Sequence, residues 1–177
     1  ATTAAHNGWH IPEATQEVLK NAVEQHQVLG SMRLMMTAGP AADRDNICAY
    51  NCAYLAINHK RKFAEALYIL MNGTGVGFSC ERQEISKLPE VPIELRHCED
   101  TIVVADSKQG WAKAFRRFMY SLWEGDIPSV SYSKVRPSGS RLKTFGGRAS
   151  GPEPLRDLFQ FTEATFKAAG GRRLTSL

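Results

Sequence analysis

The sequence predicts an α/β fold. Three observations carry that expectation: short apolar runs that read as strands, stripes of apolar residues at helical spacing between them, and glycines that close the stripes. The chain has 177 residues, 43% of them hydrophobic. A domain of that size buries roughly 70% of the surface its unfolded chain exposes, so it needs neither a disulfide framework nor a structural metal. The apolar fraction also excludes general disorder.

The elements follow in order. Pro12 to Leu29 carries Val18, Leu19, Ala22 and Val23 at helical intervals and stops at Gly30, which predicts a helix. Ile47 to Ile57 has no charge and predicts a buried strand of a parallel sheet. Lys62 to Met71 places Phe63, Ala66, Leu67, Leu70 and Met71 on one stripe before Asn72-Gly73, which predicts a second helix. Thr74 to Cys80 mixes two glycines with apolar residues, as suits a strand approached closely by a ligand or another backbone. Asp100 to Ala105 reads as a short strand. Asp106-Ser107 then cap a helix with Trp111, Ala114, Phe115, Phe118 and Leu122 on its apolar face and Glu124-Gly125 at its end. Ser129 to Val135 predicts a further strand, and Glu153 to Ala169 a last helix closed by Gly170-Gly171. No internal repeat or low-complexity tract is present.

Charge and cysteines narrow the function classes. The net charge of +4 permits an anionic ligand, but the basic residues are mostly dispersed, which reads as solvated surface. No uncharged apolar run approaches the roughly 20 residues that span a bilayer, and the first 25 residues lack a signal pattern, so a cytoplasmic protein with no membrane partner is expected. Cys48, Cys52, Cys80 and Cys98 lack the regular spacing of a secreted scaffold, and Cys48 and Cys52 lack the spacing of a zinc knuckle. His6 and His10 share i,i+4 spacing without the intervening Glu of a zinc protease. No metal site is expected.

The strongest chemical signal is the stretch from Arg136 to Pro152. It holds four glycines, two prolines, three serines and the basic residues Arg136, Arg141, Lys143 and Arg148. Free backbone amides beside guanidinium groups suit phosphate, so an anion site is expected there. Gly75 and Gly77 leave room for a ligand, but not with the spacing of a dinucleotide fingerprint. Cys52 taken alone reads as a small hydrophobe of a buried strand.

Four segments occur together and in register: Ser31-Met-Arg-Leu-Met-Met-Thr-Ala-Gly39, Tyr50-Asn-Cys-Ala-Tyr54, Asn72-Gly-Thr-Gly-Val-Gly-Phe-Ser79, and the run from Val135 to Pro152 that ends Ala149-Ser-Gly-Pro152. Together they resemble the adenosylcobalamin-dependent (class II) ribonucleotide reductases, particularly the monomeric triphosphate reductases, from about Ser31 to the last residue. The resemblance implies a partial ten-stranded α/β barrel. Residues 31–177 would form its first part, and residues 1–30 an N-terminal helical segment.

The resemblance also implies roles. The cysteine of the Asn-Cys strand motif, here Cys52, is one half of the redox pair that reduces the substrate ribose. Asn51, Thr74 and Gly75 match positions lining the substrate pocket. Lys143 resembles the basic residue of the loop that meets the allosteric effector, and Asp106 and Ser107 face that effector too. Cys48, Cys80 and Cys98 match no catalytic position. In the family, homolysis of a cobalt–carbon bond generates a cysteine thiyl radical that removes the ribose 3′ hydrogen, and a cysteine pair then reduces C2′ with loss of water. The implied partners are a ribonucleotide substrate, a deoxynucleotide effector, a thioredoxin-like reductant and a complementary C-terminal reductase chain. The last would supply the radical cysteine and most of the adenosylcobalamin site.

The expectation is therefore an enzyme portion inactive by itself: a split subunit, a piece flanking an inserted element, or a trimmed product. Unpaired strand edges give a physical reason to expect further chain. The alternative is a non-catalytic nucleotide-binding regulatory module of the same fold. A nucleic-acid binder comes third and would lose affinity steeply with salt.

Overall fold

The structure is a computed structural model that describes Gly8, residues 10–142 and residues 147–175. The chain divides into two compact units. Unit 1 comprises the described residues up to Ala53 together with Asn72–Gly75, and unit 2 comprises Tyr54–Met71 and the described residues from Val76 onward.

Unit 1 is built from short helices. Helix α1 spans Glu13–Glu24, five residues short of the expected end at Leu29, because the backbone leaves the helix at Gln25 and His26 takes a positive φ of 56°. Helices α2 (Met32–Thr37) and α3 (Pro40–Arg44) follow. The Ser31 side chain accepts from the Leu34 N–H, and Pro40 occupies the first turn of α3, where its missing N–H costs nothing.

The strand expected over Ile47 to Ile57 is corrected in both extent and burial. Its first part is a 3-10 turn, Asn46–Ala49, because the Asp45 carboxylate accepts from the Ile47 N–H at 3.2 Å and caps a turn. Only Cys52–Ala56 forms strand β1, and Cys52 and Tyr54 on it are exposed. Helix α4 (Arg61–Met71) agrees with its stripe, and β2 (Gly75–Ser79) pairs with β1. The Gly75 N–H donates to the Asn51 carbonyl at the start, and the Ile57 N–H donates to the Ser79 carbonyl at the end, so the two strands run the same way.

Unit 2 carries the main core. After the short helix α5 (Arg82–Ile85), β3 spans Arg96–Val103, α6 spans Lys108–Glu124 and β4 spans Asp126–Ser131. β3 and β4 are parallel, with Arg96 opposite Asp126 and Val103 opposite Ser131. Between those pairs β3 advances from His97 to Thr101 while β4 advances only from Ile127 to Ser129, a bulge. β3 begins earlier than the apolar pattern suggests because its first residues, Arg96 to Asp100, are mostly charged.

Helix α6 is the central element. The Ser107 side chain accepts from the Gly110 N–H at 2.9 Å, and Gly125 closes the helix with φ 96°, a left-handed conformation that favours glycine. Its buried face, Ala114, Phe115, Phe118, Met119, Leu122 and Trp123, shares a core with Ile102 and Ile127 from the strands, Val104 just after β3, and Leu155, Phe159 and Phe166 from helix α7 (Glu153–Ala168). Phe118 and Phe159 meet in a tilted arrangement with ring centroids 4.7 Å apart, and Trp123 meets Phe166 edge-on at 4.8 Å. Each of these large side chains contributes about 1.5–3 kcal/mol by leaving water. Among the described residues, no helix is long and apolar enough to cross a membrane.

Candidate functional site

The sequence-selected residues fall into two groups. Asn51, Cys52, Thr74 and Gly75 lie in unit 1, and Asp106 and Ser107 in unit 2. Lys143 and His6 lie outside the described residues.

The first group is one connected piece of backbone. Thr74 is only 2% exposed, and its hydroxyl lies 2.8 Å from the Tyr50 carbonyl and 3.1 Å from the Ile47 carbonyl, sharing a single proton between them. The hydroxyl therefore ties the entrance of β2 to the turn that delivers Asn51 and Cys52. One residue later, the Gly75 N–H donates to the Asn51 carbonyl at 2.9 Å. A second strut comes from Arg33 of α2, whose guanidinium donates to the Gly73 carbonyl. Gly73 itself has φ 78°, which lets the chain leave α4 and turn directly into this clamp.

The product of this scaffolding is an exposed Cys52 on the first residue of a strand, beside an exposed Asn51 and an exposed Gly75. The sequence reading of Cys52 as a buried strand residue is corrected. An uncharged run does not reveal which of its faces is covered, and here the cysteine face is open. The thiol is free, as are those of Cys48, Cys80 and Cys98, and Cys48 is buried. Thr74 acts through its inward-facing side chain, and Gly75 has its N–H engaged in the strand pair. A Cβ at Gly75 would meet the Asn51 carbonyl at 3.6 Å, ordinary contact, so the glycine is not there to relieve a clash.

In the second group, both side chains are engaged. Ser107 caps α6, and Asp106 receives the Arg136 Nε–H at 2.8 and 3.0 Å from its two carboxylate oxygens. Arg136 thus ties the start of the glycine-rich segment to the head of α6. The pair is about one-third exposed on each side and contributes modestly to stability.

Among the described residues of the glycine-rich segment, three backbone amides are engaged within it. The Gly139 N–H donates to the Ala149 carbonyl at 2.9 Å, the Ala149 N–H to Ser140 at 2.7 Å and the Leu142 N–H to Gly147 at 3.0 Å. Arg141 and Arg148 bridge antiparallel, and Arg148 donates to the Gly139 carbonyl at 3.1 Å. These bonds pair the two described arms of the segment, residues 139–142 and 147–149. At its base Gly151 has φ 80°, and a Cβ there would sit 2.9 Å from the Ser138 nitrogen.

Sequence reasoning missed the Ser31 cap, the Arg33 strut and the Arg136–Asp106 pair. The cap was findable, because Ser31 immediately precedes a run of helix formers. The strut and the pair join residues 40 and 30 apart, and no local pattern marks such contacts.

Among the described residues no group of three or more His, Cys, Asp or Glu side chains is placed to hold a metal ion. The adenosylcobalamin that the resemblance implies does not fit the opening beside α1. That opening is walled by Ile11 and successive side chains of that helix, including Glu13, Glu17, Lys20 and Glu24. A wall made from one charged helix does not suit a corrin ring, which needs a largely apolar cleft that encloses it.

Comparison with known proteins bears out the resemblance seen in the motifs. The chain is 31% identical over 120 residues to the adenosylcobalamin-dependent ribonucleoside-triphosphate reductase of Euglena gracilis, covering 61% of this chain and 15% of that protein. It is 27% identical over 149 residues to the enzyme of the same description from Lacticaseibacillus paracasei, covering 61% of this chain and 20% of that one. A putative reductase of the same kind from Mycobacterium phage D29 is 42% identical over 60 residues, or 32% of this chain and 9% of that one. The chain thus spans no more than a fifth of the length of these curated relatives. No protein-family model matches. In three dimensions the chain is similar to a crystal structure of a B-12 dependent (class II) ribonucleotide reductase, with a TM-score of 0.62 and 23% identity over 72% of this chain and 26% of that one. That likeness concerns the fold, and it agrees with the α/β arrangement expected.

Proposed function

We propose that this chain is one part of an adenosylcobalamin-dependent ribonucleoside-triphosphate reductase and that it supplies Cys52 as one of the two thiols that reduce the substrate ribose. The observation that carries this reading is the exposed Cys52 at the head of β1, presented by a backbone clamped at Thr74, Gly75 and Gly73. A thiol that exchanges electrons with a substrate must be reachable and must hold still, and this arrangement supports both.

The chemistry asked of Cys52 is a two-electron step. Two thiols close to a disulfide, their electrons and protons pass to the ribose, and the 2′ hydroxyl leaves as water. Cys48 is buried and the other cysteines match no catalytic position, so the second thiol comes from polypeptide beyond this chain, and a thioredoxin-like dithiol regenerates the pair. Asn51 and the Thr74–Gly75 turn line the ribonucleotide beside the thiol. Lys143 meets the deoxynucleotide effector, and Asp106 and Ser107 support that site by holding Arg136 and the head of α6. Residues 31–177 form the front of a ten-stranded barrel behind a helical segment at residues 1–30. The remaining strands pair with the edges of β1–β2 and β3–β4, and the same further polypeptide holds the cofactor.

The test is complementation. The chain is mixed with the polypeptide that completes the reductase, adenosylcobalamin, a ribonucleoside triphosphate and a dithiol, and deoxyribonucleotide is measured. Product is expected only when both polypeptides are present, with Cys52→Ser reducing turnover to background. A stable complex that turns over equally well with Cys52→Ser would sink the assignment.

A further inference from the structure

Where α4 meets α6, the basic residues of unit 2 divide into two classes. Arg61 and Lys62 both hold Glu65, at 2.7 and 2.8 Å, and Arg117 holds the two oxygens of Asp100 at 2.7 and 2.8 Å. Those three cations are each ion-paired. Lys60 and Arg116 are not: among the described residues neither has an ion-pair partner, and both converge on the ring of Tyr120. The Lys60 Nζ lies 4.2 Å from the ring centroid and the Arg116 Cζ 5.5 Å.

The surroundings preserve this excess of charge. Gln109, Lys113, Arg116 and Tyr120 recur at i, i+4, i+7 and i+11 on one stripe of α6, and Gln109 donates to the Tyr68 hydroxyl of α4 at 3.3 Å. The stripe therefore faces α4, and Lys113 on it also lacks an ion-pair partner among the described residues. Glu124, one turn beyond Tyr120, pairs with neither cation. The quadrupole of one aromatic ring offsets two cations only in part, so an anion that contacts them lowers the energy of the folded chain. An ammonium point charge, a guanidinium fork and a phenol hydroxyl match several oxyanions in sequence better than one carboxylate.

We propose that Lys60, Arg116 and Tyr120, with Lys113 at the rim, form a binding site for a di- or triphosphate group. The Tyr120 ring is already committed to the two cations, so the site recognises phosphate charge and not a base. This assignment does not rest on the reductase reading.

The test is an NMR titration of the whole chain with inorganic tripolyphosphate, and separately with a nucleoside triphosphate, following the resonances of Lys60, Arg116 and Tyr120. Both anions are expected to shift these resonances. The Lys60→Gln/Arg116→Gln double variant should weaken tripolyphosphate binding by at least about tenfold, the scale set by losing one charge-assisted hydrogen bond. The Lys20→Gln/Arg96→Gln variant, which removes equal charge elsewhere, should bind as the parent does, and Lys60→Arg/Arg116→Lys should retain binding. Equal affinity for the two anions identifies phosphate alone as the ligand, whereas much tighter nucleotide binding that is still lost in the double variant identifies a nucleotide. Binding that survives the double variant, or that is weakened equally by the control variant, overturns the proposal. So does preference for a polyglutamate peptide over tripolyphosphate.

Discussion

The chain contains the same local motif twice, strand then helix then parallel strand, and the two copies are finished differently. In β3–α6–β4, Ile102, Ile127 and the helix face including Phe118 are buried, the last at 1% exposure. In β1–α4–β2, Tyr54 and Phe78 remain 69% and 65% exposed, and Cys52 is exposed beside them. A βαβ unit specifies strand direction and crossover, but its burial is decided by what else packs on it. β3–α6–β4 supplies more of the core, whereas β1 and β2 present a thiol and exposed aromatic rings.

The sharpest way to break that contrast is to cut into the covered copy. Phe118→Ala should destabilise unit 2 by about 3–5 kcal/mol, read as a fall in the urea midpoint, because it empties a packed site against Phe159. Ser107→Ala should cost about 1 kcal/mol in the same measurement by leaving the Gly110 N–H without its acceptor. Glu65 supplies a smaller, pH-dependent term. Burial works to raise its pKa, but the hydrogen bond and charge of Lys62, aided by Arg61, outweigh it and hold the carboxyl below its ordinary range. A depressed folded pKa contributes stability that is full above the unfolded value and is lost as pH falls through the folded one. Glu65→Gln should therefore reduce the stability difference between neutral and acid pH by less than about 1 kcal/mol. Phe78→Ala, in the uncovered copy, should change the stability of this chain by no more than about 0.5 kcal/mol. A loss comparable to that of Phe118→Ala would erase the distinction between the copies.

Legibility in the sequence follows the same division. Helix α6 was readable in full, since the Ser107 cap, the apolar stripe and Gly125 are local signals that agree with one another. Helix α4 was readable for the same reason. The run from Ile47 to Ile57 was misread because Asp45, just outside it, caps a 3-10 turn, and because a lack of charge says nothing about which face is covered. The start of β3 was hidden by its charges. At the candidate site the sequence pointed to Cys52 and its neighbours only through their resemblance to a family. That Thr74 and Arg33 hold the presenting turn depends on contacts between distant residues, which no spacing rule reveals.

The most direct test of the central claim follows the Cys52 thiol through a single turnover. The completed reductase is given ribonucleotide without external reductant, then trapped with an alkylating agent and mapped by mass spectrometry. The account predicts that Cys52 is recovered in a disulfide with a cysteine from outside this chain, in proportion to the deoxyribonucleotide formed. Recovery of Cys52 as the free, alkylated thiol after product has formed would contradict it.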